Sequence, residues 1–239
     1  MEARSRLIEH IEVAENTKAF RFERPAGWEF RAGQSLDMTL VDPPETDAEG
    51  NTRAFSIASA PHEPALMVAT RVRSSAFKRV LKGLPAGSEV KIEGPFGDFT
   101  LHNNANRPAV ILAGGIGITP FHSMVFDAAK RKLPHRIFLF YSNRRPEDAA
   151  FLKELEALRQ ENANYKLIAT MTEMEHSRRS WNGETGLIDH DMLARHLAGA
   201  SNPIYYVAGP PAMVNGLRTM LTGSGVDTDD IRSEEFSGY

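Results

Sequence analysis

The chain of 239 residues contains no cysteine. Within it, that excludes disulfides, thiolate-held iron–sulfur clusters, Cys-type zinc sites and cysteine nucleophiles. It also agrees with a reducing compartment. Charge of neither sign dominates: 28 Lys and Arg face 31 Asp and Glu, a net charge of −3. No global positive field points to nucleic acid or to an anionic membrane. No run approaches the ~18–20 apolar residues of a membrane helix. The opening stretch MEARSRLIEHIEVAENTKAF is charged throughout and lacks the apolar core of a signal peptide. A soluble cytoplasmic protein is the expectation. The eight histidines show no metal-ligand spacing, so no metal is expected, and His122 reads as a core or surface residue. Thr52 and Ser123 lack the paired base that a hydrolase nucleophile needs.

What is present divides near HNNANRP, His102–Pro108, a polar stretch with the character of a linker. Before it, short runs read as strands at Arg6–Val13, Lys18–Glu23, Ser35–Val41, Ala54–Ala58, Leu66–Val72 and Glu89–Glu93. One helical pattern, SAFKRVLKGL, carries Phe77, Val80, Leu81 and Leu84 on one face and stops at Gly83 and Pro85. Six strands with one helix predict a small antiparallel barrel. Beyond the linker, fully apolar runs alternate with helical segments: AVILAGG before TPFHSMVFDAAKRK, RIFLFYS before PEDAAFLKELEALRQE. YKLIATM leads through a polar, hairpin-like excursion to DMLARHL, and IYYVAG precedes PPAMVNGLRTML. Strands apolar on both faces must be covered on both, so this half predicts a doubly wound parallel sheet with right-handed crossovers.

Four stretches carry candidate chemistry. In ILAGGIGITP, Gly114, Gly115 and Gly117 allow close backbone approach where the first parallel strand meets its helix, with Thr119 as N-cap and Pro120 at the first helical position. A diphosphate would suit that helix N-terminus; a tight turn needing glycine for packing alone is the other reading. VAGPPAMVNGL repeats the arrangement at Gly209, Pro210 and Met213, again with a purely structural turn as the alternative. EGPFGDFTL, taken alone, is a turn at the barrel's end. RAFSIASAP sets an arginine and a serine three residues apart on one strand, Arg53 and Ser56.

Taken together and in this order, RxFS, GPxG, GGxGxTP and AGPPxM resemble the ferredoxin–NADP reductase superfamily of flavin oxidoreductases, across essentially the whole chain. The resemblance implies a FAD-binding barrel over residues 1–103 and a nicotinamide-binding α/β domain over 104–239. It implies that Arg53 pairs with the flavin diphosphate, that Phe55 stacks on the flavin where relatives more often carry tyrosine, and that Ser56 lies within reach of flavin N5, with Ala54 between. Backbone at Ala69, Thr70 and Arg71 would meet the isoalloxazine edge. Ser75 and Ala76, with Phe77 following, would offer N–H groups to the diphosphate. Lys78, Arg79 and Lys82 read as a solvated helix face rather than a dock for an acidic partner. Near the C-terminus, Glu234 and Phe236 match an acidic residue and a flavin-covering ring; Tyr239 is the alternative cover, or a clasp for the adenine end. Nicotinamide would bind at Gly115, Gly117, Thr119, Pro120, Gly209, Pro210 and Met213, with Ser142, Arg144 and Arg145 beside its adenosine ribose. The two arginines favour NADPH over NADH. Position 208 is alanine where many relatives have cysteine.

The expected activity is hydride transfer from NAD(P)H to FAD, with FMN the alternative flavin, and then electron transfer to a separate acceptor. That acceptor would be a ferredoxin, flavodoxin, oxygenase component or small oxidant. A non-catalytic redox sensor and a flavin-bearing subunit of a larger electron-transfer complex remain open beside it.

Overall fold

The computed structural model describes residues 1–236; the expected Tyr239 contact lies outside them. The N-terminal half forms one antiparallel sheet of six strands. These are β1 (Glu2–Ala14), β2 (Thr17–Glu23), β3 (Ser35–Leu40), β4 (Thr52–Ser56), β5 (Ala65–Arg71) and β6 (Glu89–Phe96), in the order β4-β3-β6-β1-β2-β5. Helix α1 (Ala76–Gly83) lies between β5 and β6. The sheet curls until its two edges meet: the Ala58 N–H donates to Met67 O at 2.7 Å, and the Met67 N–H to Ser59 Oγ at 3.0 Å. Strand alternation puts Leu36, Met38 and Leu40 of β3 inward with Val90 and Ile92 of β6, around the buried Trp28 and Phe77. Gly94 and Pro95 belong to the end of β6 rather than to a free turn; a Cβ on Gly94 would press against Ser35 O at 3.1 Å, so the strand needs glycine there.

The second half is an all-parallel sheet of β7 (Ala109–Gly114), β8 (Ile137–Asn143), β9 (Tyr165–Met171), β10 (Glu184–Thr185), β11 (Ile204–Gly209) and β12 (Ile231–Glu235). The order is β10-β9-β8-β7-β11-β12. Helices α2 (Thr119–Lys130), α3 (Leu152–Ala157), α4 (His190–His196) and α5 (Pro211–Gly223) cover it. Val110 and Leu112 of β7 pack in one core with Met192, Val214 and Leu217, while Ala109 and Ile111 pack in another with Phe121, Val125 and Leu155. The sheet is therefore clad on both faces, as its all-apolar strands require.

Two local expectations change. The excursion after β9 is not a hairpin: it returns in β10, which runs parallel to β9 with Thr170 opposite Glu184. The predicted helix PEDAAFLKELEALRQE is α-helical only over Leu152–Ala157, flanked by 3₁₀ turns. Phe151, at φ +60°, breaks it where its ring packs 4.4 Å from His122.

The connection from Gly97 to Pro108 is stitched to the second sheet. The His102 N–H donates to the Tyr206 hydroxyl on β11 at 2.8 Å, and Arg232 of β12 donates to Thr100 O at 2.9 Å. The halves also share apolar contact, because Ala58, Met67 and Phe99 join the core that holds Phe121 and Met124 of α2. His122 Nδ1 donates to Ala58 O at 2.8 Å and Ser123 Oγ to Ser59 O at 2.7 Å, so His122 is a structural residue of the seam.

Gly117 sits where its turn touches β11. A Cβ there would lie 2.5 Å from Ala208 O and 2.7 Å from Gly209 Cα, both backbone atoms with nowhere to go. Gly117→Ala is expected to cost at least about 1–3 kcal/mol of stability, the usual penalty of overpacking. A lower urea midpoint at unchanged m-value is the readout.

Candidate active site

The parallel strand order reverses between β7 and β11: the chain leaves β7 toward β8 on one side, and β11 lies on the other. In such sheets the crevice beyond the strands' carboxyl ends at that point is where ligands bind. Here the crevice is a cleft of about 810 Å³. Gly114 and Gly115 from the end of β7, Ser142, Asn143 and Arg144 from the end of β8, and Pro210 and Met213 at the start of α5 line it. Asp189, Thr172 and the exposed Leu187 form the opposite wall. Gly115 adopts φ +52°, a left-handed conformation that glycine takes without strain.

The second cleft, of about 490 Å³, lies against the antiparallel sheet. Arg53, Ala54, Phe55 and Ser56 of β4 line it together with Ala69, Thr70 and Arg71 of β5, Ser75, Lys78, Ile116, Thr119 and Phe236. Phe55 is half-buried, with its ring 5.8 Å from that of Phe77. Ser56 is buried at the cleft wall. Phe236 enters from the end of β12, where its N–H donates to Gly209 O at 3.0 Å. Both clefts include Arg71 and Arg73, and one 3₁₀ turn, Gly115–Ile118, stands between them.

Most of the expected positions therefore fall on two adjoining clefts, but several change role. Thr119 does not cap α2: the 3₁₀ turn runs directly into the helix, so Thr119 is its first residue and Pro120 its second. The Thr119 hydroxyl donates back to Ile116 O at 3.1 Å, and Thr119 lines the second cleft. Gly117 and Pro120 line neither cleft; the glycine serves the close contact with β11 described above. Gly209 lies behind Pro210, at 3.2 Å from Gly114 once a Cβ is added. Arg145 points away from both clefts. Asp148 holds its guanidinium at 2.9 Å and Glu15 at 3.1 Å, tying β1 to the second half. Arg144 stays in the cleft, with Glu173 at 3.4 Å. Ala76 and Phe77 are buried beneath the second cleft, the Phe77 ring lying 5.3 Å under the Arg53 guanidinium.

Three cleft residues escape sequence reading. Lys78, expected on a solvated helix face, is half-buried in the second cleft, and burial, then Arg73 and Arg53, lower its pKa. Asn143 is buried at the lip of the larger cleft, and neither of its side-chain amide atoms has a partner among the described residues. Asp189 caps α4 by accepting the Met192 N–H at 2.8 Å. The helical period sets Lys78 about 100° round from the buried Phe77 and so does not reveal it, and nothing in the sequence marks the other two. Among the described residues, no cluster of three or more His, Asp or Glu is placed to hold a metal ion, and no helix is long and apolar enough to cross a membrane.

Residues 111–219 match the family of oxidoreductase NAD-binding domains. Terephthalate 1,2-dioxygenase reductase component 2 of a Comamonas species is 28% identical over 229 residues, covering 94% of this chain and 65% of that protein. One subunit of the Na⁺-translocating NADH-quinone reductase of Methylococcus capsulatus is 29% identical over 202 residues, covering 78% of this chain and 49% of that one. A ferredoxin NADP⁺ reductase of Neisseria gonorrhoeae, solved with bound FAD and NADP, has the same two-sheet fold across 98% of both chains, with a TM-score of 0.79 at 18% identity. The chain has the two-domain fold of the ferredoxin–NADP reductase superfamily. It spans at most 65% of the two sequence relatives named here. The superfamily's order of an antiparallel sheet followed by a parallel one is the order found in this chain.

Glu234 lies on β12 opposite Ala208, in neither cleft. Burial, and then the charge of Asp98, push its pKa from 4.5 up to about 7. Between those values the folded chain keeps a proton that the unfolded chain has released, so stability falls as pH rises through the window. Glu234→Gln should match the wild type in melting temperature below pH 4.5 and exceed it increasingly up to about pH 7, with the gap constant above. Parallel melting curves across that range check this.

Proposed function

We propose that the chain is an NAD(P)H-dependent flavoprotein reductase unit, with the flavin in the cleft against the antiparallel sheet and the nicotinamide dinucleotide in the crevice of the parallel one. The boundary between its domains falls after residue 103. The observation that carries the reading is the adjacency of the clefts: one 3₁₀ turn separates them and two arginines border both.

The residues fit a flavin. An apolar wall of Phe55, Ile116 and Phe236 suits a flat aromatic ring system, while Arg53, Lys78 and the N-terminus of α1 at Ser75 suit its phosphate. Bound flavin supplies a two-electron acceptor that can release electrons singly. Ser56 presents a hydroxyl at the ring's redox edge. Phe236 closes the cleft on the side facing the nicotinamide crevice and must swing aside for the two rings to meet, a gating step. FAD is the flavin expected and FMN the alternative. Arg144, the one arginine of the pair left in the crevice, supports NADPH over NADH. The electrons then pass to a separate acceptor, a protein such as an oxygenase component or ferredoxin, or a small oxidant. The names of the relatives, a dioxygenase reductase component and part of a quinone reductase, support that division of labour.

The test is the visible spectrum of the purified protein, followed without oxygen as NADPH or NADH is added. A yellow protein that bleaches supports the reading. A colourless protein that takes up neither FAD nor FMN defeats it. In the same assay Ser56→Ala should keep its flavin and be reduced about tenfold more slowly, the loss of one hydrogen bond worth about 1–1.5 kcal/mol. Reduction at the wild-type rate removes Ser56 from the redox edge. Arg144→Ala should raise KM for NADPH about tenfold or more and leave KM for NADH nearly unchanged; equal effects on both coenzymes would show that Arg144 reads no 2′-phosphate.

A further inference from the structure

The donors expected to hold the flavin phosphate are already engaged by carboxylates of the chain itself. The loop between β3 and β4, DPPETDAEGN from Asp42 to Asn51, carries four acidic residues and no basic one. Asp47 Oδ2 accepts the Ala76 N–H at the start of α1, at 3.0 Å. Its Oδ1 lies 3.2 Å from Arg53 Nη2, and Glu49 Oε2 lies 2.9 Å from the same nitrogen. Arg53 Nη1 donates to Glu49 O, Gly50 O and Thr52 O at 2.8–3.1 Å. Both terminal nitrogens of the guanidinium are thus taken by one loop. Glu45 holds Arg79 on the next turn of α1, at 2.9 Å from its Nε.

The loop is fastened at its base and held by charge in its middle. Asn51 Nδ2 donates to Leu40 O at 2.9 Å, and the Thr39 and Thr52 hydroxyls lie 2.7 Å apart. Just inside this base sit the two left-handed residues, Asp42 at φ +43° and Gly50 at φ +73°. Between them the ties to α1 and Arg53 are the ion pairs, the one bond from the Ala76 N–H, and the Arg53 Nη1 bonds to Glu49 O and Gly50 O. The side chain of Glu49 is 75% exposed, so it has open solvent to turn into.

We infer that the Asp42–Asn51 loop is an internal competitor for the flavin phosphate, with the Asp47 carboxylate standing where a phosphate oxygen binds and so setting how tightly the flavin is held. The inference rests on the flavin reading of this cleft. A phosphate at Arg53 and the Ala76 N–H would meet Asp47 within hydrogen-bond reach of the same two donors, and two anions cannot share them without strong repulsion. Flavin uptake is therefore an exchange of one anion for another. Asp47 leaves, the phosphate takes its donors, and the net affinity is the difference between the two. Asp47 and Glu49 face Arg53 directly, while Arg71, Arg73 and Lys78 are the other cations lining the cleft.

The test uses the full chain stripped of flavin and titrated with FAD, FMN and riboflavin, followed by flavin fluorescence, with melting curves to confirm folding. Asp47→Asn keeps an oxygen for the Ala76 N–H but removes the negative charge. It should bind FAD and FMN tenfold or more tightly than the wild type and bind riboflavin, which carries no phosphate, equally well. Glu49→Gln, at the exposed side of Arg53, should shift both phosphorylated flavins in the same direction by less, and it serves alone if Asp47→Asn does not fold. Unchanged or weaker binding of FAD and FMN in these variants overturns the inference and makes Asp47 a helix cap that builds the site. Equal tightening for riboflavin also overturns it, since the effect would then not be on the phosphate. If neither wild type nor variants take up any of the three, the flavin reading itself fails, and the competition with it.

Discussion

The geometry of both clefts depends on two backbone carbonyls, Ala58 O and Ser59 O. They belong to residues that have just left β4, so no neighbouring strand satisfies them, and a buried carbonyl must find a donor. His122 and Ser123, adjacent on the first turns of α2, supply both. The helix that follows the glycine turn is thereby fastened to the strand that carries Arg53 and Ser56. Phe121 and Met124, on the same helix, pack against Phe99 and the outward face of β5, which carries Met67 and Ala69. His122 is itself stacked on Phe126, with ring centroids 4.4 Å apart, and its Nε2 lies 3.2 Å from Glu154. One helix thus fixes the distance between two clefts built by different sheets.

Behind the clefts a second seam does the same with charge. Arg145 reaches Glu15 on the turn after β1 as well as Asp148 beside it, and the Glu15 N–H donates to Glu147 O at 2.8 Å. Glu147 is itself buried, and the Ser177 hydroxyl and the Arg178 N–H donate to its carboxylate at 2.8–3.2 Å. A charge buried with several donors keeps its ionised form, and burial would be costly without them. The seam explains why Arg145, next to Arg144 in sequence, serves the structure while its neighbour serves the crevice.

Much of this is legible in the sequence because period and punctuation are local. Alternation over β3 and β6, fully apolar runs at β7 and β11, and glycine after each of the latter reflect forces that act within a few residues. The two halves, their order and the strands and glycines that line the clefts follow from them. What stays hidden is what tertiary contact decides. Arg144 and Arg145 are identical in type, and what separates them is that Asp148 and, far away in the chain, Glu15 hold Arg145. Thr119 has the chemistry of an N-cap, but the 3₁₀ turn ahead of it uses that position for helix. Phe151 belongs to a helical pattern, yet its ring is drawn toward His122 and the backbone turns left-handed to follow. The acidic loop at 42–51 gives no local sign that its carboxylates fold back onto α1.

With flavin and coenzyme bound as proposed, Arg71 and Arg73, which line both clefts, would give the molecule a property neither cleft has alone. Two anionic ligands that border the same cations partly neutralise them for one another. The thermodynamic coupling this creates has one value, whichever ligand is taken first: the factor by which an occupied crevice changes flavin affinity equals the factor by which bound flavin changes coenzyme affinity. A substitution at either arginine would therefore be felt at both ends of the reaction path, as a change in how strongly the two binding events speak to each other.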